Sequence, residues 1–415
     1  MLTIKNRFKE QDVFYNVLAF VLLFFGSNTL YTQIYISTEI SSYLVFAISV
    51  ALYMWKFLRD KSVDKNSFVY AIVLSLLVVV SLAKNLDVDN MNGYLIIIMK
   101  ITGSFFLLNT LDLQRFFRAF FNIVFLLAVS SLIVTYVFPI FSLDELLPVA
   151  VNRMGIRFYN GFLTFKVVSY GTFGLRNYGI FSEPAVFCFY LFLGALFGIY
   201  DKTITVKKYI CAAIIVGAMI TTFSPIGIIT AASVLLTYTF YYILQYKNTK
   251  YLAVPAISVL TIVLFFALQD DLNYGFSFML SKFSLYSGNG LGRLTSVYVN
   301  MREWLNFPVF GGGLKTSSDI ATWYGFNTST TGTMFSAFGV VFAVPVTYLQ
   351  IMTMGVIFKR RGVVLATIFA IVFILQINNH GLIQGDWYWF ATMIGATKNK
   401  YEAFDNNMQP GKLAI

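Results

Sequence analysis

Charge is scarce in this chain. Only 12% of its 415 residues are Asp, Glu, Lys or Arg, about half of the roughly one quarter usual in a soluble domain. Histidine occurs once, as His380, and cysteine twice, as Cys188 and Cys211. One imidazole with no carboxylate cluster beside it cannot assemble a metal site. Two cysteines inside apolar stretches make no disulfide framework and read as small core residues. The alternating segments of about ten residues that mark a membrane β-barrel are absent. The opening MLTIKNRFKEQD is basic but leads into an apolar run without a small-residue cleavage pattern, so that run reads as a retained span.

What abounds is apolar sequence, 58% of the residues, with a mean hydropathy of +0.72. Runs of about 18 or more apolar residues recur, each able to cross a bilayer core about 30 Å thick. Spans are expected at 13–31, 41–58, 68–84, 94–111, 119–141, 179–200, 208–222, 227–245, 251–268, 333–357, 362–378 and 387–397. The expected fold is therefore an all-α polytopic membrane protein with about 12 transmembrane helices, a single integral membrane domain over 1–415. Thr221, Thr222, Ser224, Pro225 and Gly227 interrupt the apolar sequence between two of these spans. They predict either a tight hairpin of two short helices or one kinked re-entrant pair.

The net charge of +11 would suggest nucleic acid in a soluble protein. Here it follows the rule that holds Lys and Arg in the cytoplasm. With a cytoplasmic N-terminus, every inner loop is basic and both termini are cytoplasmic. Lys100 falls inside a span, and nine basic residues fall outside: Lys84, Arg153, Arg157, Lys166, Arg176, Lys282, Arg293, Arg302 and Lys315. All but Lys84 lie in two enlarged outer loops, 142–178 and 269–332. Long loops tolerate such charges; an anionic ligand at the outer leaflet would favour them.

Within the second loop, Gly288–Gly313 reads GNGLGRLTSVYVNMREWLNFPVFGGG. A glycine-rich entry leads into an expected amphipathic helix over 293–306, closed by Trp304, Pro308 and three glycines. Arg293 and Arg302 are nine residues apart, about 900° of helix, so they face opposite ways. Arg293, at the helix start, combines a guanidinium with free backbone N–H groups and the positive end of the dipole, an anion site. Arg302, beside Glu303, suits either a ligand or the membrane surface.

In the first loop, Arg176 stands just before a span and Glu183 in its first turn, next to Pro184. A carboxylate there is stabilised by the helix dipole; an ionisable group at membrane depth is equally a functional candidate. Arg153 and Arg157, four apart, would share one face of a helix, as surface charges or as ligands. Two further patterns mislead. Gly311-Gly312-Gly313-Leu314-Lys315-Thr316 imitates a phosphate loop, but Leu314 separates glycine from lysine. Asn327-Thr328-Ser329 imitates a glycosylation acceptor. His380, in Asn378-Asn379-His380-Gly381, reads as a loop residue, or as a base near neutral pH.

Three motifs, in this order, resemble those of the bacterial O-antigen polymerase and ligase superfamily. They are Arg176-Asn177-x-Gly179-x-Phe181-x-Glu183-Pro184, then Thr222-Phe223-Ser224-x-x-Gly227, then Arg293 followed by Trp304, Pro308, Gly311 and Gly313. The resemblance covers most of the chain. It implies a GT-C-like glycosyltransferase of the bacterial inner membrane, facing the periplasm and using no metal, nucleotide sugar or other cofactor. Donor and acceptor would be oligosaccharides carried on undecaprenyl diphosphate. Membrane lipids and a chain-length regulator are further partners; nucleic acid is not one. Arg176 and Arg293 would hold the departing diphosphate, and Glu183 is the candidate base. Arg153, Arg157, Arg302 and Lys315 are candidates for binding diphosphate or substrate. The two loops are expected to contribute to one site.

Ligases of this superfamily carry a His-Asn pair after the second loop's glycines. This chain has Tyr324-Gly325-Phe326-Asn327-Thr328-Ser329 there, which favours a Wzy-type polymerase. A ligase with another acceptor stays open, as does a lipid-linked oligosaccharide flippase or transporter. Transporters more often show internal repeats and charges within spans, and only Lys100 meets the second condition.

Overall fold

The computed structural model describes residues 2–60, 62–152, 155–168, 176–200, 205–246, 293–324, 327, 329–358, 362–378, 381–383 and 385–397. The expected span 251–268, the glycines of 288–292, Arg153, Lys282 and His380 lie outside these residues. In chain order the helices are α1 (Leu2–Gly26), α2 (Leu30–Tyr35), α3 (Thr38–Asp60), α4 (Lys65–Asn85), α5 (Met91–Thr110) and α6 (Leu113–Leu132). Helix α6 runs on through one π turn, Ile133–Val137, to Ile140. Three short strands follow: β1 (Val149–Val151), β2 (Arg157–Asn160) and β3 (Phe165–Val167). Then come α7 (Pro184–Tyr200), α8 (Val206–Ile220), α9 (Pro225–Tyr246), α10 (Arg293–Asn306), α11 (Gly313–Tyr324), α12 (Thr330–Phe358), α13 (Val363–Ile377) and α14 (Asp386–Ile394).

The protein is predominantly helical and built for a membrane. Among the described residues, 6 helices are long and apolar enough to cross one: Thr38–Asp60, Lys65–Asn85, Val88–Thr110, Leu113–Ile140, Pro225–Leu244 and Thr330–Phe358. Helix α4 states the physics. It buries Ser67, Ala71, Leu74, Val78 and Ser81 and exposes Phe68, Val69, Ile72, Val73, Leu76, Val79 and Val80. Small and hydroxylated residues inside with branched apolar residues outside is the polarity that lipid selects.

Two span boundaries move inward. The stretch expected at 13–31 ends at Gly26, because Asn28 takes a left-handed φ of 52° and Thr29 then caps α2. The stretch expected from residue 179 starts as a helix only at Pro184, because Gly179 has a φ of 57°. No Cβ fits at Gly179, since it would meet the Phe187 ring at 2.6 Å. The expected shared helix face of Arg153 and Arg157 is overturned, since Arg157 opens strand β2.

The chain forms two compact units, Met1–Thr38 with Asp112–Gly292, and Glu39–Leu111 with Arg293–Ile415. In the first, α6 packs against α1, α7 and α8. Helices α8 and α9 form a hairpin through Thr221–Ser224, as one of the two sequence readings expected. Helix α7 is buried on every side through Ile199, consistent with its being apolar all round. Its Phe197 stacks on Phe117 with ring centroids 4.1 Å apart. The strands form an antiparallel sheet in the order β1-β2-β3, with Ala150 opposite Phe158 and Phe158 opposite Val167. Leu30, Ala150, Phe158, Phe165, Val167 and Tyr178 make a small core beneath it. Lys166, one of the outer basic residues, is held by Asp144 at 2.7 Å.

In the second unit, α12 is the central element and packs against α4, α10, α11, α13 and α14. Its helix is broken at Gly339 (φ 73°, ψ −179°). The chain at Pro308–Gly312 runs into that break. Val340 N–H donates to Pro308 O at 3.0 Å, and Gly312 N–H donates to Ser336 O at 2.8 Å. Backbone groups freed by the break are thus paired inside the protein, as membrane depth requires.

Candidate functional site

The segment 176–183 of the first unit is a loop held from four sides. Leu30 N–H donates to Ile180 O at 2.8 Å, and Phe165 N–H to Gly179 O at 2.7 Å, which ties the loop to α2 and β3. The ring of Phe181 stacks on Tyr190 of α7 at 4.7 Å. The fourth tie is Asn177, which has no exposed surface. Its backbone N–H donates to Thr221 O at 2.9 Å. Its side-chain amide donates to Ser131 Oγ at 2.9 Å and Thr221 Oγ1 at 3.1 Å, and its Oδ1 accepts from Gly179 N–H at 3.1 Å. A buried asparagine making four hydrogen bonds fixes a loop far more sharply than apolar contact does.

Asn177 therefore sets the position of Arg176. That side chain is only 7% exposed, and its Nε donates to Thr222 O at 3.1 Å. Burial pulls the guanidinium's pKa down, while Tyr178 and the Glu183 carboxylate push the other way. The charge persists, because arginine does not deprotonate in proteins. Burial raises the phenol of Tyr178, and Arg176 opposes that shift.

Glu183 is half-buried and sits immediately before α7. Its carbonyl accepts the first amide bonds of the helix, from Val186 at 3.1 Å and Phe187 at 3.3 Å, so it occupies the N-cap position. Pro184 takes the first helical place, where a missing N–H costs nothing. Arg176 and Glu183 are thus brought within electrostatic range by one loop. Together they can hold an anion and accept a proton. Arg157 lies on the exposed side of β2. Arg153 lies outside the described residues.

The remaining sequence-derived candidates belong to the second unit. Helix α10 is described from Arg293 and ends at Asn306, the expected C-terminal bound. Arg302 is exposed on it, and Lys315 is exposed on α11. The first amides of α11 are already committed: Lys315 N–H donates to Asp87 Oδ2 at 2.8 Å and Leu314 N–H to Tyr94 Oη at 2.8 Å. The anion at this glycine-rich helix start is the protein's own carboxylate. That gives a structural reason for the false phosphate-loop pattern.

Two features escaped the sequence reading. Asn327, set aside as a coincidental glycosylation pattern, joins three helices. It accepts from Asn300 Nδ2 at 2.9 Å and donates to Ser317 Oγ at 2.9 Å, while Ser336 Oγ donates to Asn300 Oδ1 at 2.7 Å. Lys100 is buried as expected, and its Nζ lies 3.3 Å from Asp386 Oδ2. A lone lysine in a span is itself the signal that an acid must be found for it. Among the described residues there is no group of three or more His, Cys, Asp or Glu that could hold a metal ion. No protein-family model, curated protein or solved structure matches this chain.

Proposed function

We propose that this protein is a repeat-unit polymerase for O-antigen or exopolysaccharide, a GT-C-like enzyme of about twelve spans in the bacterial inner membrane. It has cytoplasmic termini and a periplasmic site. It transfers the growing glycan from undecaprenyl diphosphate to the non-reducing end of a lipid-linked repeat unit. The acceptor hydroxyl attacks the anomeric carbon, the bond from that carbon to the diphosphate oxygen breaks, and undecaprenyl diphosphate leaves. Glu183 takes the hydroxyl proton. Arg176 stabilises the charge that builds on the leaving group, where scarce water strengthens each guanidinium contact, and Arg293 is the resemblance's second candidate for that role.

One observation supports the reading most. The first two of the three motifs behind the resemblance, far apart in sequence, meet through Arg176 to Thr222, and Asn177 bonds Thr221, the residue just before the second motif. That contact leaves a buried guanidinium within electrostatic range of a carboxylate. Deleting the gene tests it. A polymerase defect leaves glycans of a single repeat unit attached to their final acceptor. An unchanged length distribution overturns the proposal.

A second reading, a lipid-linked oligosaccharide flippase or transporter, draws on the Lys100–Asp386 pair, since paired charges at membrane depth often mark transport pathways. Its deletion would instead trap repeat units on the inner leaflet.

A further inference from the structure

Helix α10 carries an apolar stripe on its exposed side. It buries Ser296 (2% exposed) and Asn300 (0%) beside Val299 (4%), and exposes Tyr298 (66%) and Leu305 (69%), with Arg302 between them on the same face. Spacings of four and three residues make Tyr298, Arg302 and Leu305 one stripe. The buried side carries polar residues beside Val299 by necessity, because Ser296 and Asn300 serve the Asn327 network. The exposed side is not explained by the fold. An aqueous surface would select the opposite polarity.

The chain beyond the helix continues the pattern, with Phe307 and Val309 exposed by 45% and 48%. This segment is fastened to the end of a candidate span. Lys84, in the last turn of α4, lies over the rings of Phe307 (5.8 Å) and Phe310 (5.6 Å). Asp87, two residues past α4, holds the start of α11. The segment that follows the stripe therefore lies at the end of a candidate membrane-crossing helix.

We propose that the Tyr298–Arg302–Leu305 stripe, together with Phe307 and Val309, is embedded in the headgroup–acyl boundary of a phospholipid bilayer. The partner is identified by chemistry. Aromatic and aliphatic groups beside isolated cations match a zone that is apolar below and lined with phosphates above. Arg302 and Lys84 extend to those phosphates. The membrane then covers a face that is exposed among the described residues, and holds the helix parallel to the surface.

Photolabelling tests this on the wild-type chain in nanodiscs of phosphatidylethanolamine and phosphatidylglycerol. The lipid carries a diazirine close to the glycerol backbone, and adducts are mapped by mass spectrometry. Adducts on the peptide 298–309, at yields within a few-fold of those on the exposed face of α4, are expected. In Leu305→Glu, at an exposed position that folding should tolerate, the yield on that peptide drops at least threefold. Labelling of α4 with none on 298–309 overturns the proposal. So does labelling of 298–309 by a water-soluble carbene reagent alone, or protection from both reagents, which would mean cover by protein. The readout needs no glycan substrate, so it stands or falls apart from the polymerase reading.

Discussion

Arg176 reaches across to the loop between α8 and α9 and donates from Nε to the carbonyl of Thr222 at 3.1 Å. The carbonyl fixes one edge of the guanidinium; burial pulls its pKa down, and Tyr178 and the Glu183 carboxylate oppose that shift. On the proposed chemistry the substitution to separate is charge from fork geometry. Arg176→Ala should lower chain growth by about a hundredfold or more, the scale for losing one stabilising donor. Arg176→Lys keeps the charge without the planar donor fork and should recover only part of the loss. Polymer length on gels, normalised to protein in the membrane, decides it. Equal activity of Arg176→Ala and wild type would remove Arg176 from the site.

Glu183 carries two roles that one substitution divides. As the residue before α7 it offers its backbone carbonyl to the helix whatever its side chain. Glu183→Gln keeps shape and hydrogen bonding but removes the base. Chain growth should fall steeply while membrane levels stay at the wild-type value. If Glu183→Gln polymerises normally, the carboxylate serves only the helix dipole.

Asn177 is the fixed point from which this loop is built, and its effect should appear in stability. Asn177→Ala leaves Thr221 and Ser131 short of their donor in a dry environment, at about 1–3 kcal/mol. Asn177→Asp should be worse, because it also buries a charge facing acceptors. Thermal unfolding in detergent should rank wild type, then Ala, then Asp.

The sequence alone disclosed the helices because their signals are periodic and local. Helix α10 ends where expected, at Asn306, and the hairpin break at Thr221–Ser224 could be placed from Thr, Ser, Pro and Gly in a row. The sheet at 149–167 was not visible. Its strands are three or four residues long, too short for a period-2 pattern, and Arg153 and Arg157 happened to carry helical spacing. The break at Gly339 is equally silent, because its cause is Pro308–Gly312, some thirty residues away. For the candidate site, residue types were legible and partners were not. Arg176 and Glu183 stood out as charges at membrane depth, whereas Asn177, Asp87 and Asp386 act through contacts that no local pattern encodes.

Gly339 tests whether that break matters. A Cβ there would overlap the Val309 carbonyl, and the backbone φ of 73° disfavours any L side chain. Gly339→Ala should therefore cost well over the ~1 kcal/mol of an ordinary core change. It should displace Pro308–Gly312 and reduce the folded yield in the membrane. Gly355, on the same helix with open space around it, provides the control: Gly355→Ala should be neutral or mildly stabilising.

The Lys100–Asp386 pair yields the sharpest energetic contrast, because burial makes its two halves interdependent. Their side chains are 5% and 15% exposed, so water cannot replace either partner. Removing one charge leaves the other unpaired in a low-dielectric bundle, at about 3–5 kcal/mol, whereas removing both can be nearly neutral. Lys100→Met and Asp386→Leu should each lower the unfolding temperature and membrane level, and the double variant should recover most of both. A double variant as stable as wild type that also polymerises normally would assign the pair to fixing α14 against α5. A stable double variant with no activity would place the pair in the working part of the protein, and would favour the transporter reading if repeat units accumulate on the inner leaflet.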